Sequence, residues 1–415
     1  MWTASEPASL EHSLLSVIGG IDADPIGPIQ SAQISGLPTS FDETQFENRL
    51  QAMIGQARQP DLIEDSASAI PDIADPSAQS DPLTGLGASD ALVANKVAPP
   101  DDPGVGRFRV ADGYGTLDAA AAVAAATGRA SLAPVSGNYS WNNDLINAPE
   151  AWANGITGQG VVVAVVDSGV DYTHSDLDQS IWRNTDEIAN NGIDDDGNGY
   201  IDDVRGWDFV GGDRNPMDVD GHGTHVAGTV AAERNGTGIT GVAYGAQIMP
   251  VRVLGADGSG SIRDVAQGIR YAADNGADVI NLSLGSEFYT PVLENAMRYA
   301  TQQGAILVSA SGNSGLDSPD YPAQFATELG ISVGAISRSG QVTGFSNGAG
   351  YDSSLRHVVA PGANIRSTVP GEGYANFNGT SMATPHVAGT VALMLSANPN
   401  LTPNQVRDMV IDAAA

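Results

Sequence analysis

Cysteine is absent from this 415-residue sequence, which removes disulfides, thiolate metal ligands and thiol nucleophiles. Lysine is nearly absent: Lys96 stands alone, and the other 17 cations are arginines. Against 18 basic residues stand 49 acidic ones, for a formal net charge of −31. Nucleic-acid phosphates and anionic lipid surfaces need a basic partner, so neither is expected here. Long apolar runs are missing too. Stretches such as Ala119 to Ala126 fall far short of the roughly 20 residues a membrane-spanning helix needs. The opening residues show no basic stretch followed by an apolar one, the mark of a secretory leader.

What is present divides the chain in three. Residues 1–105 carry 16 acids and three bases and are dense in Pro, Ser, Ala and Asp, a composition that reads as largely disordered. Within them Ser40 and Glu43 form a capping-box pattern, followed by Phe46, Leu50, Met53 and Ile54. That spacing predicts one amphipathic helix near 41–58. Residues 106–138 read as an Ala-rich helical segment or linker. From residue 139 short apolar runs alternate with helical periodicity. Val161–Val166, Ile248–Leu254, Val279–Leu284, Ala305–Ala310 and Ile331–Ile336 read as buried strands, and Val265–Asn275 and Val292–Gln303 as helices. The alternation predicts an α/β fold of three layers, a mainly parallel central sheet with helices on both faces. In such sheets, sites form at the carboxyl ends of the strands.

Three residues fall at such junctions. Asp167 follows the VVVAVV strand. His222 lies in DGHGTHVAG, at the start of a predicted helix. Ser381 lies in NGTSMATPHVAG, before a second apolar helix. Taken singly, each has an ordinary explanation: a strand-end carboxylate, a structural histidine, a helix N-cap. Together they supply what a weak hydroxyl nucleophile requires. A base must take its proton, and a carboxylate must hold that base in the right tautomer.

One loop suggests a cation independently. Residues 186–220 hold 11 acids and two arginines. In IDDDGNGYIDD, Asp194, Asp196 and Asn198 alternate, Gly199 permits a sharp turn, Tyr200 offers a carbonyl and Asp202 follows. These match the early positions of an EF-hand-type calcium loop. The closing bidentate Glu is replaced by Arg205, so Asp203 or Asp208 would have to close the shell. Structural Ca²⁺ is expected here, since the cluster would otherwise repel itself.

The motifs VVDSGVDYTHSDL, DGHGTHVAGTVAA, ASGNSG and GTSMATPHVAG, in this order, resemble those of the subtilisin-like serine endopeptidases, the subtilases. The likeness covers roughly 139–415. It implies a subtilisin-like fold and peptide-bond hydrolysis through an acyl-enzyme. Ser381 would be the nucleophile, His222 the general base and acid, Asp167 its orienting carboxylate and Asn313 the oxyanion-hole amide. It also implies that extended polypeptide substrates lie along Gly258-Ser259-Gly260 and Ser283-Leu284-Gly285. Asp320, before Tyr321-Pro322, would reach into the pocket for the residue preceding the cut and favour Arg or Lys there. A second calcium site would use the side chains of Asp176 and Asn235 and the carbonyls of Glu233, Thr237 and Ile239. His225 and His386 match positions that are not catalytic.

Two features depart from the family pattern. Residues 1–105 lack the texture of an inhibitory prodomain. A segment like the family's usual C-terminal stretch, GYGTLDAAAAVAAATG, stands upstream at 113–128. Either it folds back to complete the catalytic domain or it is a helical linker. The leading reading is an active, monomeric endopeptidase. A maturation protease with one dedicated substrate and a silent binding protein on the same fold are the alternatives. Calcium loops without cysteine favour an extracellular or cell-envelope setting.

Overall fold

A computed structural model describes residues 108–137 and 139–415. The expected helix near 41–58, and the rest of 1–105, lie outside the described residues.

Seven strands form one parallel sheet, in the order β2-β3-β1-β4-β5-β6-β7. They are β1 (Val162–Asp167), β2 (Trp207–Asp208), β3 (Gln247–Arg252), β4 (Val279–Leu282), β5 (Ile306–Ala310), β6 (Ile331–Ile336) and β7 (His357–Pro361). A two-stranded antiparallel hairpin, β8 (Ile365–Val369) and β9 (Gly373–Phe377), stands apart. The period-2 alternation of strands explains the layers. In β1, Val163 and Val165 enter one apolar cluster, whereas Ala164 and Val166 enter the other.

Three short helices open the described chain: α1 (Ala119–Ala126), α2 (Trp141–Leu145) and α3 (Ala148–Ala153). The first cluster holds residues of α1, of α4 (His222–Ala231), of α7 (Thr380–Ala397) and of α8 (Pro403–Ala413). The second holds α5 (Ile262–Asp274) and α6 (Pro291–Gln302). Both faces of the sheet are therefore covered, and strands buried on both sides need the near-continuous apolar sequence seen here. Helix α7 is buried along most of its length, as its unbroken run of small and apolar residues demands.

Two strands end earlier than the sequence reading has them. β3 stops at Arg252 and β4 at Leu282, two residues earlier than apolarity alone suggests. The chain leaves the sheet there, and Ser283 turns to the start of α7.

The 106–138 segment is placed in detail from residue 108. Leu117 N–H donates to Val359 O (2.9 Å) and Val359 N–H to Gly115 O (3.0 Å), so the chain runs alongside β7 at the sheet's end. Thr116 exchanges both backbone hydrogen bonds with Ala415, at 2.8 and 2.9 Å. Asp118 caps α1 by accepting from Ala121 N–H at 2.8 Å. The helix then packs its buried alanines against α7 and α8.

Candidate active site

Asp167 is the last residue of β1 and His222 the first of α4. Asp167 Oδ1 lies 2.8 Å from His222 Nδ1, and both side chains are buried. A carboxylate oxygen only accepts, so the pairing puts the ring proton on Nδ1 and the lone pair on Nε2. Close approach of α4 to β1 depends on Gly223. A Cβ there would stand 2.0 Å from Gly169 O, so any side chain would push the histidine helix off the strand.

Asp218 is a residue that sequence reasoning missed. Its buried carboxylate accepts from Ser168 Oγ (2.9 Å), Thr224 N–H (2.8 Å), Thr224 Oγ1 (2.5 Å) and Gly221 N–H (2.9 Å). It thereby ties the start of α4 to the neighbour of Asp167. Burial pushes its pKa above the usual carboxylate value, against the pull of these donors. An acid shortly before an apolar helix is a capping signal, but DGHGTH draws the eye past it.

Ser381 is the second residue of α7. Its Oγ donates to Ser283 O at 3.1 Å, and its own carbonyl accepts from Ser283 Oγ at 2.8 Å. Asn281 Nδ2 holds that Ser283 hydroxyl in turn at 2.9 Å. The start of α7 is thus locked to the exit of β4. Asn313 follows β5 and presents its amide oxygen to Thr380, accepting from the backbone N–H at 2.8 Å and from Oγ1 at 3.1 Å. With its oxygen held, the amide turns its NH₂ the other way, where it makes no hydrogen bond among the described residues.

The two expected peptide edges meet at one cleft. Gly260 on one side and Leu284 and Gly285 on the other line an apolar pocket with Leu254, Ile262 and Tyr321. Gly258 and Ser259 form the turn before it, with Gly255 N–H donating to Ser259 O at 2.7 Å. Asp320 is buried behind Gly312. Its Oδ2 accepts from Asn347 Nδ2 at 3.1 Å.

The other described histidines are structural. His225 stacks on Phe377 at 4.4 Å and reaches the Ile365 carbonyl through Nε2 at 2.9 Å. His386 lies between Met382 O and the Asn142 amide, both at 2.9 Å. Full burial drives these rings down to about 3 and about 4 respectively, so both are neutral. His174 and His357 are also buried, with Gly373 O and Ser332 Oγ as neighbours.

The acidic loop differs from its EF-hand reading. Asp194 and Asp196 come together, but the third carboxylate is Glu187, which the sequence reading missed. Oxygens of these three lie within 4.8 Å of one another, the one such group among the described residues. Asp202 instead pairs with Arg214 and accepts from Asn191 and Gly192 N–H. Asp203 accepts from Tyr271 OH at 2.6 Å and from the Asn184 and Asn198 amides. Burial raises its pKa. Asn198 spends its oxygen on Tyr200 N–H, and the Tyr200 ring packs edge-on against Trp207, Phe209 and Tyr271. Asp208 pairs with Arg252. Asp203 and Asp208 thereby anchor the loop to α5 and β3. Glu187 left no trace in the sequence because it lies outside the alternating run.

At the second expected site the two side chains come together. Asn235 turns its NH₂ to Asp176 Oδ1 at 3.0 Å and spends its oxygen on Thr237. Asp176 Oδ2 accepts from Ile239 N–H and Tyr374 OH, both at 2.9 Å. Glu233 turns its carboxylate to Gln179 N–H at 2.9 Å; the Ile239 N–H and the Glu233 carboxylate are not the atoms expected to bind, which are the backbone carbonyls of Glu233, Thr237 and Ile239.

A buried Asp–His pair at the end of β1, and a helix-start serine locked to the exit of β4, are parts that a serine hydrolase uses. Comparison with known proteins narrows this. The model of the peptidase S8, or subtilase, family matches residues 158–415. Subtilisin BL of Lederbergia lenta is 44% identical over 276 residues, covering 66% of this chain and 90% of the relative. The alkaline protease of Shouchella clausii is also 44% identical over 276 residues, covering 66% of this chain and 64% of its own. The crystal structure of a cold-adapted subtilisin-like serine proteinase superposes with a TM-score of 0.53 at 32% identity, over 66% of this chain and 90% of that one. The chain belongs to the subtilase family and is a serine-type endopeptidase.

Proposed function

We propose that Ser381 Oγ attacks the scissile carbonyl carbon while His222 Nε2 takes its proton. Asp167 holds the imidazole and stabilises the cation that forms. As the C–N bond breaks, His222 returns the proton to the leaving amine. Water, activated by the same ring, then frees the acyl group from Ser381. The negative oxygen of each tetrahedral intermediate is met by Asn313 Nδ2 and by the N–H of Ser381 at the start of α7. The observation that carries this reading is the clamp of Thr380 on the Asn313 oxygen, because it fixes the amide donors relative to the nucleophile's own helix. A fluorophosphonate probe is expected to label Ser381 alone; labelling elsewhere, or none, rejects the assignment. Asn313→Ala is expected to lower kcat about 10²–10³-fold with little change in KM, a magnitude taken from subtilisin. A loss confined to KM would make Asn313 a binding residue only.

Extended backbone pairing along Ser283–Gly285 and Gly258–Gly260 suits unfolded polypeptide substrates of varied sequence. We read 108–137 as part of the catalytic unit, since α1 shares its apolar cluster. No helix among the described residues is long and apolar enough to cross a membrane.

Glu187, Asp194 and Asp196 offer the hard oxygens that Ca²⁺ prefers, and none of the three pairs with a described cation. The ion would neutralise the cluster and fix the 186–200 loop, a structural role the triad itself does not need. This fits an extracellular or cell-envelope setting, where calcium is abundant. At about 100 times Kd a single site adds about 2.7 kcal/mol. Chelation is therefore expected to lower Tm by several degrees, and Glu187→Gln to shrink that difference. Asp203→Asn, by contrast, should lower Tm with and without calcium alike. A melting curve indifferent to EDTA would remove the ion.

A further inference from the structure

We infer that a second cleft, at the far end of α4 from His222, binds peptide segments in which a carboxylate stands beside an apolar side chain. The cleft has a volume of about 610 Å³, and Tyr139, Trp141, Trp152, Asn143, Arg234 and Arg366 line it. It is not the catalytic cleft. Thr229, in its wall, stands two turns along α4 from His222, a rise of about 10 Å. Nor is it the second expected cation site, since neither Asp176 nor Asn235 lines it. The inference does not depend on which residue is the nucleophile.

The chain carries a formal net charge of −31, so a guanidinium has no shortage of acids to pair with. Yet the two in this cleft make no ion pair and no hydrogen bond with the described residues. They rest on aromatic rings instead. Arg234 lies over Trp152 and Tyr244, at 5.8 and 5.7 Å from the ring centres, and Arg366 lies over Tyr374 at 5.3 Å. Contact with a ring holds the cation in place and leaves its planar fork of N–H donors available. Both arginines are exposed at the cleft. Such forks match a carboxylate, which accepts two parallel hydrogen bonds from one guanidinium.

Asn143, on α2, points to the rest of the ligand. Only 1% of it is exposed. Its Nδ2 donates to Thr240 O at 2.9 Å, whereas its buried Oδ1 has no hydrogen-bond partner. A buried acceptor left unpaired is costly, and a ligand that brings a donor relieves it. A bare inorganic anion such as sulfate brings none. A peptide N–H beside an acidic side chain does. The rings of Tyr139, Trp141 and Trp152 then offer flat surface to a neighbouring apolar side chain. An acidic peptide thus supplies at once the carboxylate, the donor and the apolar group that this cleft is built to take.

The test titrates acetyl-Phe-Glu-amide into the full-length Ser381→Ala protein and follows tryptophan fluorescence. The peptide has no indole, so Trp141 and Trp152 report its arrival. A saturable change is expected, with Kd on the order of 1 mM. Acetyl-Phe-Gln-amide should bind about tenfold more weakly, and so should the glutamyl peptide to Arg234→Gln or Arg366→Gln. The glutaminyl peptide needs no further substitution, so that comparison stands even where an arginine variant disturbs the fold. No saturable change, equal affinity for the two peptides, or an affinity indifferent to both arginine substitutions overturns the inference. Location is checked on the wild-type enzyme cutting a short chromogenic peptide. Its rate should be unaltered when acetyl-Phe-Glu-amide saturates the second cleft. Competitive inhibition with a constant equal to that Kd would place the peptide in the catalytic cleft and overturn the inference.

Discussion

Ser381→Ala is expected to lose about 10⁶-fold in kcat, the loss known for the corresponding change in subtilisin. A methyl group cannot form the acyl-enzyme, so His222 and Asp167 are left with no proton to move. What survives comes from the oxyanion donors and from substrate binding. Stability should hardly change. The hydroxyl gives up one hydrogen bond, to Ser283 O, worth about 1 kcal/mol net. The bond from Ser283 Oγ to the backbone of residue 381 persists, because it uses the carbonyl. An unchanged melting curve with no measurable turnover and no probe labelling is the expected outcome. A variant that still turns over at a hundredth of the wild-type rate would mean that another nucleophile does the work.

Asp167→Ala is expected to lower kcat about 10⁴-fold, again the subtilisin magnitude. Asp167 is fully buried and touches the His222 ring at 2.8 Å. Without it, nothing forces the proton onto Nδ1, and the imidazolium that forms during attack loses its partner. The loss should fall on kcat with KM nearly unchanged, because the carboxylate lies beneath the histidine rather than in the cleft. It should also be smaller than that of Ser381→Ala. If the two losses multiply in the double variant, the residues act independently, and the proposed triad is wrong.

The frame is legible in the sequence because parallel strands buried on both faces must be apolar throughout. Val161–Val166 and Ile331–Ile336 announce themselves, and β1 and β6 lie within a residue of those bounds. β7 is less visible. It opens on a histidine and closes on a proline, and its burial comes partly from residues 114–117, more than 200 positions away. The residues that meet at the catalytic end are legible for another reason. Each sits in a contiguous stretch whose small residues are dictated by close packing, as Gly223 against Gly169 shows. The acidic cluster is only half readable. Spacing places Asp194 and Asp196 together, but nothing local tells that Asp202 will turn toward Arg214 or that Glu187 will arrive from seven residues upstream.

The pairing of Leu117 with Val359, and of the Ala126 carbonyl with the Asn398 amide at 3.1 Å, sets an order of events during synthesis. Residues 114–126 leave the ribosome more than 200 residues ahead of the strand and helix that cover them. At roughly 5–20 residues per second they wait ten seconds or more as an alanine-rich stretch with no partner. Eight residues are too few for a stable isolated helix. The outer edge of the sheet thus cannot be completed strand by strand as the chain emerges, and its closure belongs to the last moments of folding.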